Sequence, residues 1–273
     1  MKLKMKARIA LLTAILLLPM LAYAAGDNNC SGLPTYGQLK EKLDAAVLAE
    51  TSGLNLHMWA TVVNRDGVVC AVAFSGTDRG AQWPGSRVIS AQKANTANSF
   101  NLDRSSNSGG SGAPNGLALS TANLYSAVQP GGSLFGLQES NPVATDAAYK
   151  GPSQNFGTSN DPLVGEKVGG VNVFGGGLGL FGEGKKLVGG IGLSGDTSCA
   201  DHYIAWRLRN LLELDHLAGI FGVADAAHPD NIIFDIVPNP AGGTGNSLGG
   251  FGHPTCLNLV PAPPPNTLPA VRP

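Results

Sequence analysis

Residues 187–217 read LVGGIGLSGDTSCADHYIAWRLRNLLELDHL. The apolar run at 187–193 predicts a β-strand, and the amphipathic pattern from 197 to about 216 predicts a long helix. Between them, Gly-Leu-Ser-Gly-Asp predicts a tight turn. A helix that starts directly after a strand presents unpaired backbone N–H groups, which a carboxylate ligand can meet. Asp196 or Ser198 can cap the helix instead, and this is the commoner case.

The glycines at 190–195 (GIGLSG) match the G-x-G-x-x-G fingerprint of dinucleotide-binding folds. That fingerprint requires a second parallel strand ending in an acidic residue, whereas Asp215 falls inside the predicted helix. A hairpin turn predicted at 182–186 also makes the strand antiparallel to its neighbour. We therefore interpret the glycines as positions where a strand packs closely against a helix.

The flanking sequence predicts a helix, a hairpin, a helix, a long excursion, a hairpin and a helix, in that order. Thr35 and Gln38 form a capping-box pattern at the start of a helix over 35–52. Further elements are expected as strands at 58–64, 68–74 and 231–237, a helix at 86–100 with Ser86 as N-cap, and a short helix at 117–128.

Hairpins imply antiparallel pairing, so the expected fold class is α+β, an antiparallel sheet with helices packed on it. We expect one domain over residues 30–220, with a long irregular insertion at about 101–170. Residues 221–273 form a C-terminal extension with a Pro-rich end.

The N-terminus predicts export. Four basic residues precede an apolar run at 9–21 and the segment Ala22-Tyr23-Ala24, a pattern typical of a signal peptide at 1–24. The run is short for a membrane span, so we expect no span after cleavage. Cleavage changes the formal charge from −1 to −5, which disfavours a nucleic-acid partner. The protein is expected to be periplasmic or secreted.

The cysteines lie at positions 30, 70, 199 and 256. An even count in an exported chain favours disulfides, with three possible pairings. Cys199-x-x-His202 and His253-x-x-Cys256 also resemble two zinc half-sites. Because the expected compartment is oxidising, we favour a Cys199–Cys256 disulfide over zinc, which leaves Cys30–Cys70 as the second pair.

Several polar residues are candidates for a ligand pocket. Lys93 and Thr96 lie about one turn apart and can place an ammonium and a hydroxyl at one pocket edge, although the lysine stem can equally lie along the helix surface. His202, early in the long helix, and His57, before the first strand, can ligate iron or carry a proton, with a structural role as the alternative. The motifs G-x-S-x-G and H-E-x-x-H are absent, and an S-x-x-K match at 90–93 lacks its partner motifs.

Four blocks in order resemble the GlcG/HbpS-like haem-binding family. They are ATVVNRDGVVCAVAFSG (60–76), AQKANTANSF (91–100), GGGLGLFGEGKKLVGGIGLSG (175–195) and DTSCADHYIAWRLR (196–209). The resemblance implies an α+β domain with an antiparallel sheet, assembly into homo-oligomers and non-covalent haem binding. Some members are reported to degrade haem, and others accompany glycolate or diol metabolism. The chain departs from the family at Gly176-Gly177-Leu178-Gly179, where members usually have Gly-Gly-x-Pro.

From the resemblance we expect an exported haem-binding or haem-related accessory or sensing protein. An enzymatic role is left open but not favoured, and haem degradation is the activity that the resemblance would imply. The pocket would be lined by Lys93, Thr96, the strand at Gly176 and Gly177, and the helix start at Asp196. The expected iron ligand is His202 or His57, and Lys93 or the helix N-terminus would meet a propionate. Two alternatives stay open. One is a binding protein or enzyme for a small carboxylate such as a hydroxy acid, and the other is a structural or assembly protein.

Overall fold

The computed structural model describes residues 29–103, 115–243, 245–256 and 267–273. The predicted signal peptide at 1–24 lies outside the described residues. In the described part of the chain, no helix combines the length and apolar character needed to cross a bilayer.

The first helix and hairpin lie close to their predicted positions. Helix α1 spans Tyr36–Leu48, and the side chains of Thr35 and Gln38 accept each other's backbone N–H groups in a capping box. Strands β1 (Trp59–Asn64) and β2 (Val69–Phe74) form the hairpin. Its turn contains Gly67 at φ 75°, a left-handed conformation that glycine adopts without steric cost.

Helix α2 spans Ser86–Phe100. Gly85 occupies the cap position, so Ser86 is the first helical residue and not the predicted N-cap. The insertion that follows contains β3 (Leu117–Ala118), the one-turn helix α3 (Thr145–Ala148) and short 3-10 turns where we predicted a helix at 117–128. The buried Arg87 of α2 holds this insertion, because its Nε donates to Asp161 Oδ2 at 3.0 Å.

The second hairpin and the last helix follow the insertion. They are β4 (Gly177–Gly182), β5 (Lys186–Ser194) and α4 (Ser198–Leu211). The helix ends about five residues before the predicted end. Glu213 has a left-handed φ of 57°, which turns the chain back along β4, where the Phe181 N–H donates to Leu214 O.

One antiparallel sheet of four strands, in the order β2-β1-β5-β4, forms the centre of the protein. Helix α2 covers one face, where Ala91 and Ala94 share an apolar cluster with β1 and β2. Helices α1 and α4 cover the other face, where Leu43 and Tyr203 pack with Ile191 of β5. The predicted α+β fold class is confirmed.

Glycines on β4 and β5 let α2 approach the sheet. Gly177 pairs with Gly192 across the strands, and Gly179 pairs with Gly190. A Cβ atom on Gly190 would lie 2.4 Å from the Ala94 carbonyl oxygen, so a side chain there would collide with the helix backbone. The glycines therefore serve helix–sheet packing, as the sequence predicts, although the helix is α2 and not the one that follows the strand.

The C-terminal extension packs on the domain. It contains β6 (Phe221–Gly222), which pairs with β3, and the short hairpin of β7 (Ile236–Val237) and β8 (Asn246–Ser247). The strand predicted at 231–237 is wrong except for its last two residues. The chain just before it is held by α4 instead, because the Arg209 guanidinium makes two hydrogen bonds, of 2.6 and 2.8 Å, with buried Asp230.

Two disulfides cross-link distant segments of the described chain. Cys30 is bonded to Cys70 of β2, and Cys199 of α4 is bonded to Cys256 of the extension. These are the two pairs expected from the sequence. They close loops of 40 and 57 residues, and two structural disulfides are compatible with an exported protein.

Candidate functional site

A pocket of about 290 Å³ opens between α2, the segment before β4 and the N-terminus of α4. Its apolar wall consists of Trp83, Ile89 and Phe174, of which Trp83 is 52% and Phe174 45% exposed. Its polar floor contains Lys93, Ser194, Asp196, Ser198 and Asp201. An apolar wall beside a few polar groups is typical of a small-molecule site.

A buried ion pair forms the deepest part of the floor. Lys93 Nζ donates to Asp201 Oδ2 at 2.7 Å and to the Leu193 carbonyl oxygen at 2.9 Å. Burial raises the pKa of Asp201 to about 6, although Lys93 and the Asp196 N–H both favour the carboxylate. The lysine is therefore already paired, and a ligand carboxylate would have to compete with Asp201 for it.

Gly176 makes room for this ion pair. Its φ is 112°, and a Cβ atom there would lie 3.1 Å from Asp201 Cβ and 3.3 Å from Lys93 Nζ. Gly177 has a packing role, because a Cβ atom on it would lie 2.7 Å from the Lys93 carbonyl oxygen.

Asp196 faces the chain before β1. Its carboxylate accepts the N–H groups of Leu54 at 2.8 Å, Leu56 at 2.9 Å and Thr197 at 2.5 Å. This arrangement fixes the 53–56 segment and places a negative charge in front of α4. A carboxylate ligand at the helix start would meet repulsion from that charge.

The start of α4 is already capped within the protein. Thr197, and neither Asp196 nor Ser198, is the N-cap, and its Oγ1 accepts the Ala200 N–H. Ser198 Oγ accepts the Gly175 N–H at 2.7 Å and lies 2.8 Å from His253 Nε2. Burial lowers the pKa of His253 to about 4, so this imidazole is neutral near pH 7.

His202 does not line the pocket. The side chain is fully buried, and its Nε2 lies 3.1 Å from Asn231 Oδ1 and 3.2 Å from the Ile232 N in the C-terminal extension. Burial also lowers the pKa of His202 to about 4. Iron could reach this imidazole only after the extension moved.

His57 and Thr96 also lie outside the pocket lining. His57 is exposed, with Nδ1 3.3 Å from Ser75 Oγ and its ring edge towards Phe74. Thr96 is fully buried, where its hydroxyl donates to Gln92 O and accepts the Asn172 N–H at 2.9 Å. Thr96 thus ties the segment before β4 to α2. Of the predicted site residues, the structure brings Lys93 and Asp196 to the pocket, with Gly176 directly behind the ion pair.

Sequence reasoning missed the apolar wall and two polar groups. Trp83 lies three residues before α2, and Phe174 lies three residues before β4, so only the fold brings them together. Asp201 is not among the site residues predicted from the sequence, although it pairs with Lys93 in the pocket floor. The sequence singled out His253 only as part of the half-site His253-x-x-Cys256, and its contact with Ser198 at the pocket follows from the fold.

Comparison with known proteins adds a family and two similar structures. The family model described as "Haem degrading protein HbpS-like" matches residues 38–208. Protein ORFY of Klebsiella pneumoniae is 23% identical, with a TM-score of 0.40 over 66% of this chain and 90% of that one. A complex of PduOC with haem is 20% identical, with a TM-score of 0.40 over 64% of this chain and 89% of that one. A search of curated proteins finds no match.

Proposed function

The chain belongs to the HbpS-like family, and from this membership we propose that it is an exported haem-binding protein with an accessory or sensing role. The observation that supports the proposal most directly is the pocket beside Lys93. Its wall of Trp83, Ile89 and Phe174 is suited to a flat, largely apolar ring. A bound haem would supply a redox-active iron.

The pocket suits the apolar edge of haem better than it suits a propionate. Lys93 is paired with Asp201, and Asp196 adds a second carboxylate. A propionate would have to displace Asp201, and protonation of Asp201 below a pH of about 6 would favour that exchange. We therefore expect haem to bind more tightly at pH 5.5 than at pH 7.5, a range chosen to bracket that pKa.

An imidazole ligand to the iron would have to come from outside the pocket lining. Among the described residues, no histidine lines the pocket. His57 is exposed to solvent, whereas His202 is covered by the C-terminal extension. Of the two imidazoles expected from the sequence, His57 is the better candidate in this conformation.

Titration of the mature protein with haemin, followed by the Soret band, tests the proposal. Ile89→Glu places a carboxylate in the apolar wall, and we expect at least about tenfold weaker binding, equivalent to 1.4 kcal/mol. Leu48→Glu, on the exposed face of α1, is the matched control and should bind like the wild type. A Soret band that haemin does not shift, or equal affinity in both variants, would contradict the proposed site.

Histidine variants distinguish between the two candidate iron ligands. We expect His57→Ala to change the position of the Soret band and His202→Ala to leave it unchanged. If the band is unaltered in the double variant, neither imidazole holds the iron.

The same samples, analysed by size-exclusion chromatography, test the proposed homo-oligomer, and fractionation of cells tests export.

A small carboxylate, such as a hydroxy acid, is the second candidate ligand. The pocket volume of about 290 Å³ lies at the lower end of the range for ligand sites, which favours a small molecule. Thermal stabilisation by glycolate, in a protein that does not respond to haemin, would favour this function over haem binding.

A further inference from the structure

Three potential metal ligands meet behind the candidate pocket. The ligand atoms of Cys199, His253 and Cys256 all lie within 4.8 Å of one another. Cys199 and His253 are buried and Cys256 is partly exposed. Two thiolates and one imidazole form a donor set that suits zinc, and a fourth position would remain open.

The imidazole is oriented as a metal ligand would be. His253 Nδ1 lies 2.7 Å from the Pro254 carbonyl oxygen, which can only accept, so the ring proton is on Nδ1. The lone pair of Nε2 therefore points at Ser198 Oγ, 2.8 Å away. Metal-binding histidines in proteins are typically fixed in this way, by donating the second ring N–H to a carbonyl or carboxylate.

The two sulfur atoms lie at the start of α4. Cys199 is the second residue of the helix, and its backbone N–H donates to Cys256 Sγ at 3.0 Å. The positive end of the helix dipole and this N–H group would stabilise a thiolate after reduction. Ser198 Oγ, 2.8 Å from His253 Nε2, is a candidate for the fourth ligand.

We propose that opening the Cys199–Cys256 disulfide converts this cluster into a site for Zn²⁺. A dithiol reductant gives two electrons and two protons to the S–S bond and becomes a disulfide itself. The two cysteine thiols that result each lose one proton to solvent as Zn²⁺ binds their sulfur atoms. His253 Nε2 donates the third lone pair, and Ser198 Oγ or a water molecule fills the fourth position.

The required movement is small. In a tetrahedral site with Zn–S bonds of about 2.3 Å, the sulfur atoms lie roughly 3.7 Å apart. Cys256 can provide this separation, because it is partly exposed and lies in a segment without regular secondary structure. The site differs from the half-site Cys199-x-x-His202, because the His202 imidazole faces Asn231 and Ile232.

Cobalt titration of the reduced, mature protein tests the proposal. Cys30→Ser/Cys70→Ser is the background, since it removes the other two sulfurs and leaves the cluster intact. After reduction with a phosphine, we expect one equivalent of Co²⁺ to produce thiolate-to-cobalt charge-transfer absorption. Zn²⁺ should abolish the band and release two protons per ion. The oxidised protein should produce no such band.

Two histidine variants identify the third ligand. In the same background, His253→Ala should weaken cobalt binding by at least about tenfold, or 1.4 kcal/mol. His202→Ala is the matched control and should bind normally. The reverse pattern, or no band in a reduced protein that remains folded by circular dichroism, would overturn the proposal. If reduction unfolds the protein, Zn²⁺ must restore the circular dichroism spectrum, and failure to do so would also overturn it.

Discussion

Substitution of Gly192 by alanine tests whether the glycines of β5 exist for the approach of α2. A Cβ atom at this position would lie 2.0 Å from the Ser90 carbonyl oxygen and 2.4 Å from the Ala94 N. Both are backbone atoms of α2, so no rotamer change relieves the collision, and the helix must move by about 1 Å or more to regain ordinary contact distance.

The expected loss of folding stability follows from overpacking of the interface between β5 and α2. Inserted methyl groups in such places typically cost 1–3 kcal/mol, and a rigid backbone neighbour favours the upper end, about 3 kcal/mol. For a domain of this size, 1 kcal/mol changes Tm by about 2–4 °C, so we expect Tm to fall by roughly 6–12 °C.

Thermal unfolding followed by tryptophan fluorescence provides the measurement, because Trp59 and Trp206 are buried and report on both faces of the sheet. Gly182→Ala in β4 is the control. A Cβ atom on Gly182 would lie 3.6 Å from Val188 Cγ1, an ordinary contact, so its midpoint should remain close to the wild-type value. Equal midpoints for Gly192→Ala and Gly182→Ala would refute the packing explanation.

Three further predictions concern stability. Gly37→Ala, at an exposed position of α1, places a methyl group that meets no atom within 4 Å, and it should stabilise the protein by about 0.5 kcal/mol, measured as a higher urea midpoint. Cys199→Ser/Cys256→Ser opens a 57-residue loop and should lower the free energy of unfolding by about 4 kcal/mol; an unchanged midpoint would argue against a stabilising disulfide. Burial lowers the folded-state pKa of His202 from 6.5 to about 4. The contribution of the neutral imidazole to the free energy of unfolding is therefore complete above pH 6.5 and is lost as the pH falls towards 4. The pKa of Asp201 is raised on folding, so protonation of this carboxyl stabilises the folded protein as the pH falls through about 6–4, which opposes the effect of His202. We expect His202→Gln to flatten the acid side of the curve of urea midpoint against pH.

The helices and strands of the sheet were predictable because each has a local signal. The Thr35–Gln38 capping box, the Arg-Asp-Gly turn and the apolar run at 187–193 depend on neighbouring residues alone. The strand predicted at 231–237 failed because a distant partner overrode its β-propensity. Asp230 is held by Arg209 of α4, and Asn231 by contact with His202.

The candidate site was predictable only in part. Lys93 could be singled out as a cation among the small residues in the middle of a helix, but its partner Asp201 lies 108 residues away in the chain. The apolar wall and the Cys199–His253–Cys256 cluster likewise combine segments that no local pattern links.

By itself, the sequence determined the order of the three long helices and the four strands of the central sheet, the two antiparallel hairpins and the packing role of the glycines, because turn chemistry and hydrophobic periodicity act over a few residues. The tertiary structure alone decided which side chains face a pocket and which are buried. The sequence offers both His202 and Lys93 as candidates for the pocket. However, the extension covers the first, and the second reaches the pocket floor, because packing between distant segments sets burial and charge pairing.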